Sequence, residues 1–261
     1  MDNSSRIVIK SESEIEMMRQ AGKITAGARK IAGEAVKAGV STKQIDKYVH
    51  EYIVKSGAAP TFLGYDGYPA STCISINEEV IHGIPGKRLV NNGDIVSVDV
   101  GATYRGWVGD CAETFLCGEV DPQVKKLVEV TQQSFFEGIK FAREGYRISD
   151  IGAAIQDYVE SFGFSVVRDF VGHGVGRQMH EAPEVPNYKV TRGEMGFGRR
   201  TNPRLTKGMT IAVEPMICMG NYEVEVLENG WTVVTCDRSF ASHYENTIVI
   251  TDGEPEILTM A

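Results

Sequence analysis

Two stretches of this chain read as copies of one another, and that constrains its fold more than any other feature. Gly39, Ile45, Val49, Tyr52 and Gly57 align without a gap on Gly145, Ile151, Ile155, Tyr158 and Gly163, at a constant offset of 106 residues. In each copy the apolar positions recur at helical spacing between two glycines. Apolar helices share such spacing by chance, so the match suggests, without demanding, two similar α/β halves with a site between them. Each copy then runs on into strand-like sequence.

The helices are signalled by their caps. Ser11 and Glu14 form a capping box ahead of Ile15, Met18, Ile24 and Ile31, with Gly39 past the end. Ser41 and Gln44 cap a second helix that stops near Gly57. Asp121-Pro122 opens a third, with Val124, Leu127, Val128, Phe135 and Ile139 on its inner stripe. A fourth is expected from about Ser149 to Gly163. Asp94–Gly101 and Trp107–Leu116 read as a hairpin about Tyr104-Arg105-Gly106. A tight turn there would set Asp99 and Asp110 directly across from each other, on one face. Glu223–Leu227 and Trp231–Cys236 read as a second hairpin about Asn229-Gly230. Thr210–Val213 and His243–Ile250 are expected strands. A single domain over residues 1–261 is expected, with an N-terminal arm at 1–10 and a basic loop at 189–207.

Five side chains in this pattern are candidate metal ligands: Asp99, Asp110, His173, Glu214 and Glu245. Asp99 interrupts Ile-Val-Ser-Val-Asp-Val, Glu214 follows Thr-Ile-Ala-Val, and Glu245 precedes Asn-Thr-Ile-Val-Ile. A lone charge in such a stretch is costly, and a cation is the strongest partner for a buried carboxylate. Asp99 and Asp110 alone would pass for ordinary turn-flanking carboxylates. Glu214 and Glu245 are harder to dismiss, because strands and interiors both disfavour Glu. Four carboxylates balance two divalent ions, and oxygen-rich ligation with one nitrogen suits hard or borderline metals better than a thiolate site would.

Other chemistries find less support. The glycines of Gly172-His173-Gly174-Val175-Gly176 lack the strand, helix and spacing of a dinucleotide loop, and are better read as letting backbone approach a metal. His50-Glu51 and His180-Glu181 lack the second histidine of a zinc-protease helix, and no serine elbow is present. The net charge of −8 argues against a generally basic nucleic-acid surface, so no DNA partner is expected. No apolar run reaches the length of a membrane span, and the polar N-terminus has no signal-peptide core. The five cysteines form no C-x-x-C pair, which fits reduced thiols and a cytoplasmic location. His82, before a Gly-Ile-Pro-Gly turn, and His180 would each singly read as a satisfied structural histidine. Their nearness to the ligand-bearing segments makes them candidates for donating to a carbonyl or moving protons.

Taken together, Gly64-Tyr-Asp-Gly-Tyr-Pro-Ala-Ser-Thr-Cys-Ile-Ser-Ile-Asn, His82-Gly-Ile-Pro, Gly93-Asp-Ile-Val-Ser-Val-Asp-Val-Gly, Gly172-His-Gly-Val-Gly, Val213-Glu-Pro and Tyr244-Glu-Asn-Thr resemble type I methionine aminopeptidases. The resemblance runs from about Ser11 to Ile250. It implies an α+β pita-bread fold, with pseudo-twofold α/β halves around an antiparallel sheet. It implies removal of the initiator methionine from nascent chains whose second residue is small, with two divalent ions drawn from cobalt, manganese, iron, nickel or zinc. By resemblance Asp110 and Glu245 bridge the metals, Asp99 chelates one, and His173 with Glu214 bind the other. His82 and His180 match the substrate-contacting histidines, and Glu214 the acid/base carboxylate. Tyr65, Tyr68, Cys73 and Trp231 match the lining of the methionine pocket. Phe62 stands where many members have cysteine, and Met179 where many have phenylalanine. Both replacements keep the pocket apolar and change its shape. Without the resemblance those side chains would read as core packing, although a Tyr/Cys/Met/Trp set also suits a thioether. The chain lacks the N-terminal zinc-binding extension of eukaryotic cytosolic relatives and the large insertion of type II enzymes, which points to a bacterial or organellar form.

Two rival functions remain at this level. One is an Xaa-Pro aminopeptidase or prolidase of the same fold, although those usually carry a further N-terminal domain. The other is a non-enzymatic binding module, although such relatives lose metal ligands. Finally, Lys189, Arg192, Arg199, Arg200, Arg204 and Lys207 crowd positive charge against Glu194 alone. They form either a solvated loop or a patch for ribosomal RNA beside the exit tunnel.

Overall fold

The computed structural model describes residues 6–190 and 202–260. In chain order the elements are α1 (Glu12–Ala35), α2 (Thr42–Lys55), β1 (Ala59–Pro60), β2 (Thr72–Ile76), β3 (Glu79–Ile81), β4 (Ile95–Tyr104) and β5 (Trp107–Leu116). Then come α3 (Pro122–Ile139), α4 (Ile148–Glu160), β6 (Ser165–Val166), β7 (Gly172–Gly174), β8 (Glu181–Val185), β9 (Thr210–Val213) and β10 (Met216–Cys218). The last are β11 (Val224–Val226), β12 (Val233–Thr235), β13 (Ala241–His243), β14 (Glu245–Val249) and β15 (Glu256–Ile257). Among the described residues no helix is long and apolar enough to cross a membrane.

The helices start at their expected caps. The Glu14 carboxylate accepts the Ser11 N–H at 2.9 Å, Ser41 Oγ accepts the Gln44 N–H at 3.2 Å, and the Asp121 carboxylate accepts the Gln123 N–H at 2.8 Å. Of the apolar positions marked on α1, Ile15 and Met18 are buried, and beyond them the buried face is made of small residues. Ile24 and Ile31 are half-buried, whereas Ala21, Gly22, Thr25, Ala26, Ala28 and Ala32 are buried. Small residues let the helix lie close on the sheet. A Cβ on Gly22 would sit 2.1 Å from the Leu258 carbonyl oxygen, and one on Gly109 of β5 would sit 3.0 Å from Gly22 Cα. Val128 of α3 is also half-buried rather than on the innermost stripe.

The internal repeat is expressed in matching hydrogen bonds. Gly39 N–H donates to the Val90 carbonyl at 2.8 Å, and Gly145 N–H to that of Leu205 at 3.1 Å. Val90 N–H returns to Val40 at 2.9 Å, and Leu205 N–H to Tyr146 at 2.8 Å. Gly39 and Gly145 have φ of 86° and 91°, and Gly57 and Gly163 have 75° and 81°, so each pair of glycines brackets its helix in the same left-handed conformation. Ile45 and Val49 are fully buried under one half, and Ile151 and Ile155 under the other.

Between the halves runs a nine-stranded sheet in the order β1-β4-β5-β14-β9-β7-β8, with β2 beside β4 and β15 beside β14. Every pairing in it is antiparallel. Val96, Val98 and Val100 of β4 face the first core with Ile45, Val49 and Ile53. Ile211, Val213 and Ile248 face the second, with Phe135, Ile151 and Ile155. One face of β4 and β5 is thus left for Ser97, Asp99, Asp110 and Thr114.

Two details of register correct the sequence reading. Asp99 pairs with Ala112, and Asp110 with Gly101, so the two aspartates are diagonal rather than directly opposite. The turn is the two-residue Arg105-Gly106, with φ of 50° and 76°, between the paired Tyr104 and Trp107. The offset is two residues, an even number, so both carboxylates still share a face. The expected strand His243–Ile250 is two strands. β13 pairs with β10 in a separate three-stranded sheet, whereas β14 joins β5 and β9 in the large one. The chain changes sheets at Tyr244, whose ring packs 5.4 Å from that of Phe135. Its neighbour makes the same change at Pro215, which has no N–H to continue the ladder of β9.

Candidate metal centre and cavity

Glu214 and Glu245 sit at this double change of sheets. Glu245 opens β14 and pairs with Ala112, the residue that also faces Asp99 from the other side. Glu214 directly follows β9, whose Val213 pairs with Asn246. His173 comes from β7, the next strand over. The five candidate ligands therefore converge from five strands of one sheet, or from their ends. His173 Nε2 lies 3.5 Å from Asp110 Oδ2 and 3.5 Å from Glu214 Oε1. Asp110, His173 and Glu245 each offer a ligand atom within 4.8 Å of the others.

The electrostatics of this cluster ask for positive charge. Asp99 Oδ1, Asp110 Oδ1 and Glu245 Oε1 are buried with no hydrogen-bond partner among the described residues. Burial, and then the neighbouring carboxylates led by Asp110, hold the pKa of Asp99 and of Glu245 well above the usual carboxylate range. Burial pushes Glu214 up to about 8; His173 opposes that shift and Asp110 adds to it. Burial disfavours the His173 cation, but the bond to Asp110 and the charge of Glu214 outweigh it and raise its pKa to about 9. Divalent cations would supply the missing charge and take up the orphaned oxygens, so the donor set fits hard or borderline metals.

Above the cluster opens a cavity of about 300 Å³. Its lining includes every pocket residue expected from the sequence: Phe62, Tyr65, Tyr68, Cys73, His82, Met179, His180 and Trp231. Tyr68 is fixed by donating to the carbonyls of Thr72 and Gly83, both at 3.0 Å, and its ring meets that of Trp231 edge-on at 5.0 Å. His82 stands at φ 58°, with its ring 5.8 Å from that of Phe170. Burial lowers its pKa. His180 Nδ1 is 2.7 Å from the Tyr65 hydroxyl, and its ring lies 4.3 Å from that of His173. Burial and then His173 push His180 down to about 4, so burial disfavours the charged form of both cavity histidines.

The turn that carries Met179 and His180 is held by Glu181. Its carboxylate accepts the N–H groups of Arg177 at 2.8 Å and Gln178 at 3.2 Å, and pairs with the buried Lys10 ammonium at 2.6 Å. Lys10 belongs to the N-terminal arm, whose N–H donates to the Gly208 carbonyl at 2.8 Å. Asp66, Ile81, Phe170 and Val171 also line the cavity and were not singled out in the sequence. His243 was missed as well. It is 2% exposed, with Nε2 3.9 Å from Glu214 Oε2 and 3.9 Å from Glu245 Oε2. Alternation along an extended segment sets residues 243 and 245 on one side, a signal available from the sequence.

With this geometry in hand, comparison with known proteins defines the class. Residues 16–252 match metallopeptidase family M24, and the chain belongs to that family. Among its relatives, it is 52% identical over 255 residues to a methionine aminopeptidase of Clostridium acetobutylicum, covering 97% of this chain and 99% of that one. It is 45% identical to methionine aminopeptidase 1 of Bacillus subtilis, again over 97% of this chain and 99% of the relative. The methionine aminopeptidase structure from Thermotoga maritima superposes with a TM-score of 0.92 at 46% identity, covering 98% and 100% of the two chains. The pita-bread fold also extends to a Pyrococcus furiosus prolidase, with a TM-score of 0.75 at 21% identity, a likeness of fold alone.

Of the basic residues at 189–207, Arg192, Arg199 and Arg200 lie outside the described residues. Lys189 pairs with Asp157, Lys207 pairs with Asp252, and Arg204 donates to the Gly145 carbonyl at 2.7 Å.

Proposed function

We propose that this metallopeptidase removes the N-terminal methionine from newly made polypeptides whose second residue is small, in the cytoplasm. The observation that carries the reading is the cluster Asp99, Asp110, His173, Glu214 and Glu245 at the floor of a cavity walled by Tyr68, Cys73, Met179 and Trp231. These five would hold two divalent ions, and their four carboxylates would balance the charge. Bound there, the ions would acidify a water and polarise the first peptide carbonyl. The chain's own groups do the rest. The apolar wall takes the methionine side chain, and its soft, polarisable lining suits a thioether. Glu214 accepts a proton at its carboxylate and returns it to the leaving amine. Neutral His82 and His180 donate N–H to the oxygen that gains charge as the carbonyl is attacked.

The test is cleavage of Met-Ala-Ser against Leu-Ala-Ser, Lys-Ala-Ser and a Gly-Pro peptide, by protein stripped of metal and then supplied with cobalt, manganese, iron, nickel or zinc in turn. Met-Ala-Ser should be cleaved far faster than the rest, and only with metal. Leucine or lysine released at rates rivalling methionine would contradict the assignment, and preference for Gly-Pro would favour a prolidase. Contact with ribosomal RNA would rest on Arg192, Arg199 and Arg200, since Lys189 and Lys207 pair with the protein's own carboxylates. Reversing those three arginines to Glu should abolish low-salt co-sedimentation with ribosomes and spare peptide cleavage. Unchanged co-sedimentation leaves the segment without that role.

A further inference from the structure

His243 is the one buried imidazole beside the carboxylate cluster that the mechanism above does not use. Its backbone is pinned from both sides by one hydroxyl: Thr114 Oγ1 accepts the His243 N–H at 3.0 Å and donates to the His243 carbonyl at 2.9 Å. Thr114 is itself held by Ser97 Oγ at 2.8 Å and by the Ser242 hydroxyl at 3.0 Å. The backbone that carries the ring is thus fixed in place; the residue is 2% exposed, and its Nε2 is buried without a hydrogen-bond partner among the described residues. That atom is equidistant, at 3.9 Å, from an oxygen of Glu214 and an oxygen of Glu245. Glu214 is flanked by imidazoles on both oxygens, with His173 Nε2 on Oε1 and His243 Nε2 near Oε2. His173 lines the cavity and His243 does not, so the two rings approach Glu214 from different sides.

A buried polar atom left without a partner is costly, whichever tautomer the ring adopts. Such a group persists where another state of the site satisfies it. Ligating carboxylates are held in turn by outer hydrogen bonds, and losing such a bond typically weakens metal binding by about 10–100-fold. From this arrangement we infer that His243 is a positioning residue of the metal centre, donating Nε2–H to the outer oxygens of Glu214 and Glu245 when their inner oxygens turn to the metal. It orients these ligands from behind and touches neither metal nor substrate. The inference rests on the metal-binding reading of the five ligands.

The test separates the two. Metal-stripped wild type, His243→Gln and His243→Leu are titrated with Co(II), and binding is followed by equilibrium dialysis and by the visible spectrum of the bound ion. Glutamine keeps an N–H donor at similar reach and leucine does not. Wild type and His243→Gln should bind alike with the same spectrum, and His243→Leu should bind about 10–100-fold more weakly. With Co(II) saturating, KM for Met-Ala-Ser should stay near wild type in both. A second measurement needs no variant: in Zn(II)-loaded wild type labelled with 15N-histidine, His243 should show a proton on Nε2 that exchanges slowly with solvent. Tight, wild-type-like Co(II) binding by His243→Leu overturns the inference, and so does His243→Gln binding as weakly as the leucine variant. A His243 Nε2 without a proton in the zinc form leaves no hydrogen to donate and overturns it too. A wild type that binds no divalent ion sinks the metal reading itself.

Discussion

At the scale of the residue, the assigned roles differ in what their loss should remove. Asp110 lies within 3.5 Å of His173 and shares ligand reach with both His173 and Glu245. Asp110→Asn and Glu245→Gln should therefore lose both metals, whereas Asp99→Asn, on the β4 side, should mainly weaken one. Metal content after dialysis, read by elemental analysis, checks this; normal content and turnover in Asp110→Asn would end the two-metal assignment. His82 and His180 lie outside the carboxylate cluster, on the cavity wall. His82→Ala and His180→Ala should keep their metal and lose turnover by about 10²-fold or more. Metal lost together with activity would move either histidine into the ligand set. The four carboxylates of the cluster were legible in the sequence because a carboxylate in an apolar stretch is conspicuous. His243 is two residues before Glu245, a spacing the sequence shows, but its nearness to Glu214 comes from a separate segment and only the fold reveals it.

At the scale of the element, local chemistry was legible and long-range choice was not. Ser11, Ser41 and Asp121 announce their helices because a cap bonds within three residues of itself. The register of β4 on β5 was misread by two residues, since it depends on which residues at 104–106 take positive φ, and only Arg105 and Gly106 do. The break at Tyr244 was invisible, because it is imposed by which neighbours β13 and β14 find. The small residues on the buried face of α1 were not legible for a related reason. Hydrophobic pattern favours isoleucine, but close approach to the sheet demands small residues. Gly22→Ala drives a Cβ to 2.1 Å from a backbone oxygen, and backbone there cannot swing aside. It should cost about 1–3 kcal/mol. Gly253→Ala meets nothing within 4 Å among the described residues and serves as the control. Thermal melts that rank the two equally would mean that α1 does not pack as described. Lys10 and Glu181 connect the start of the chain to His180 by the same logic of distant anchors, and Glu181→Gln keeps the shape of that anchor while weakening the ion pair.

At the scale of the whole molecule, two similar halves were legible from paired glycines, and their consequence is a seam where negative charge from both halves meets. β4 and β5 bring Asp99 and Asp110, and β9 and β14 bring Glu214 and Glu245. Neither half could carry this charge alone in its own core, and the assembled molecule carries it only with a counter-charge. That sets the dependence of stability on pH. Without metal, Asp99, Glu214 and Glu245 have folded pKa values above their unfolded ones, with Glu214 at about 8, and His173 stands at about 9. Groups raised in this way bind more protons folded than unfolded, so their stabilisation is present in acid and is lost as pH rises through the folded values. His82, His180 and His243 are depressed, with His180 at about 4 and His243 at about 3, and they act oppositely. Their contribution grows with pH but is complete once the unfolded histidines have titrated, near the ordinary value of 6.5. Between about pH 6.5 and 9, then, the raised groups dominate the site's contribution, and the metal-free protein should lose stability steadily. Divalent ions reverse the slope, because they bind the deprotonated carboxylates and neutral His173 and so compete with protons. Melting temperatures taken across that range in chelator and in excess Mn(II) should diverge, with the gap widest at the alkaline end. Parallel curves would mean that the charge at the seam is balanced by something other than a metal.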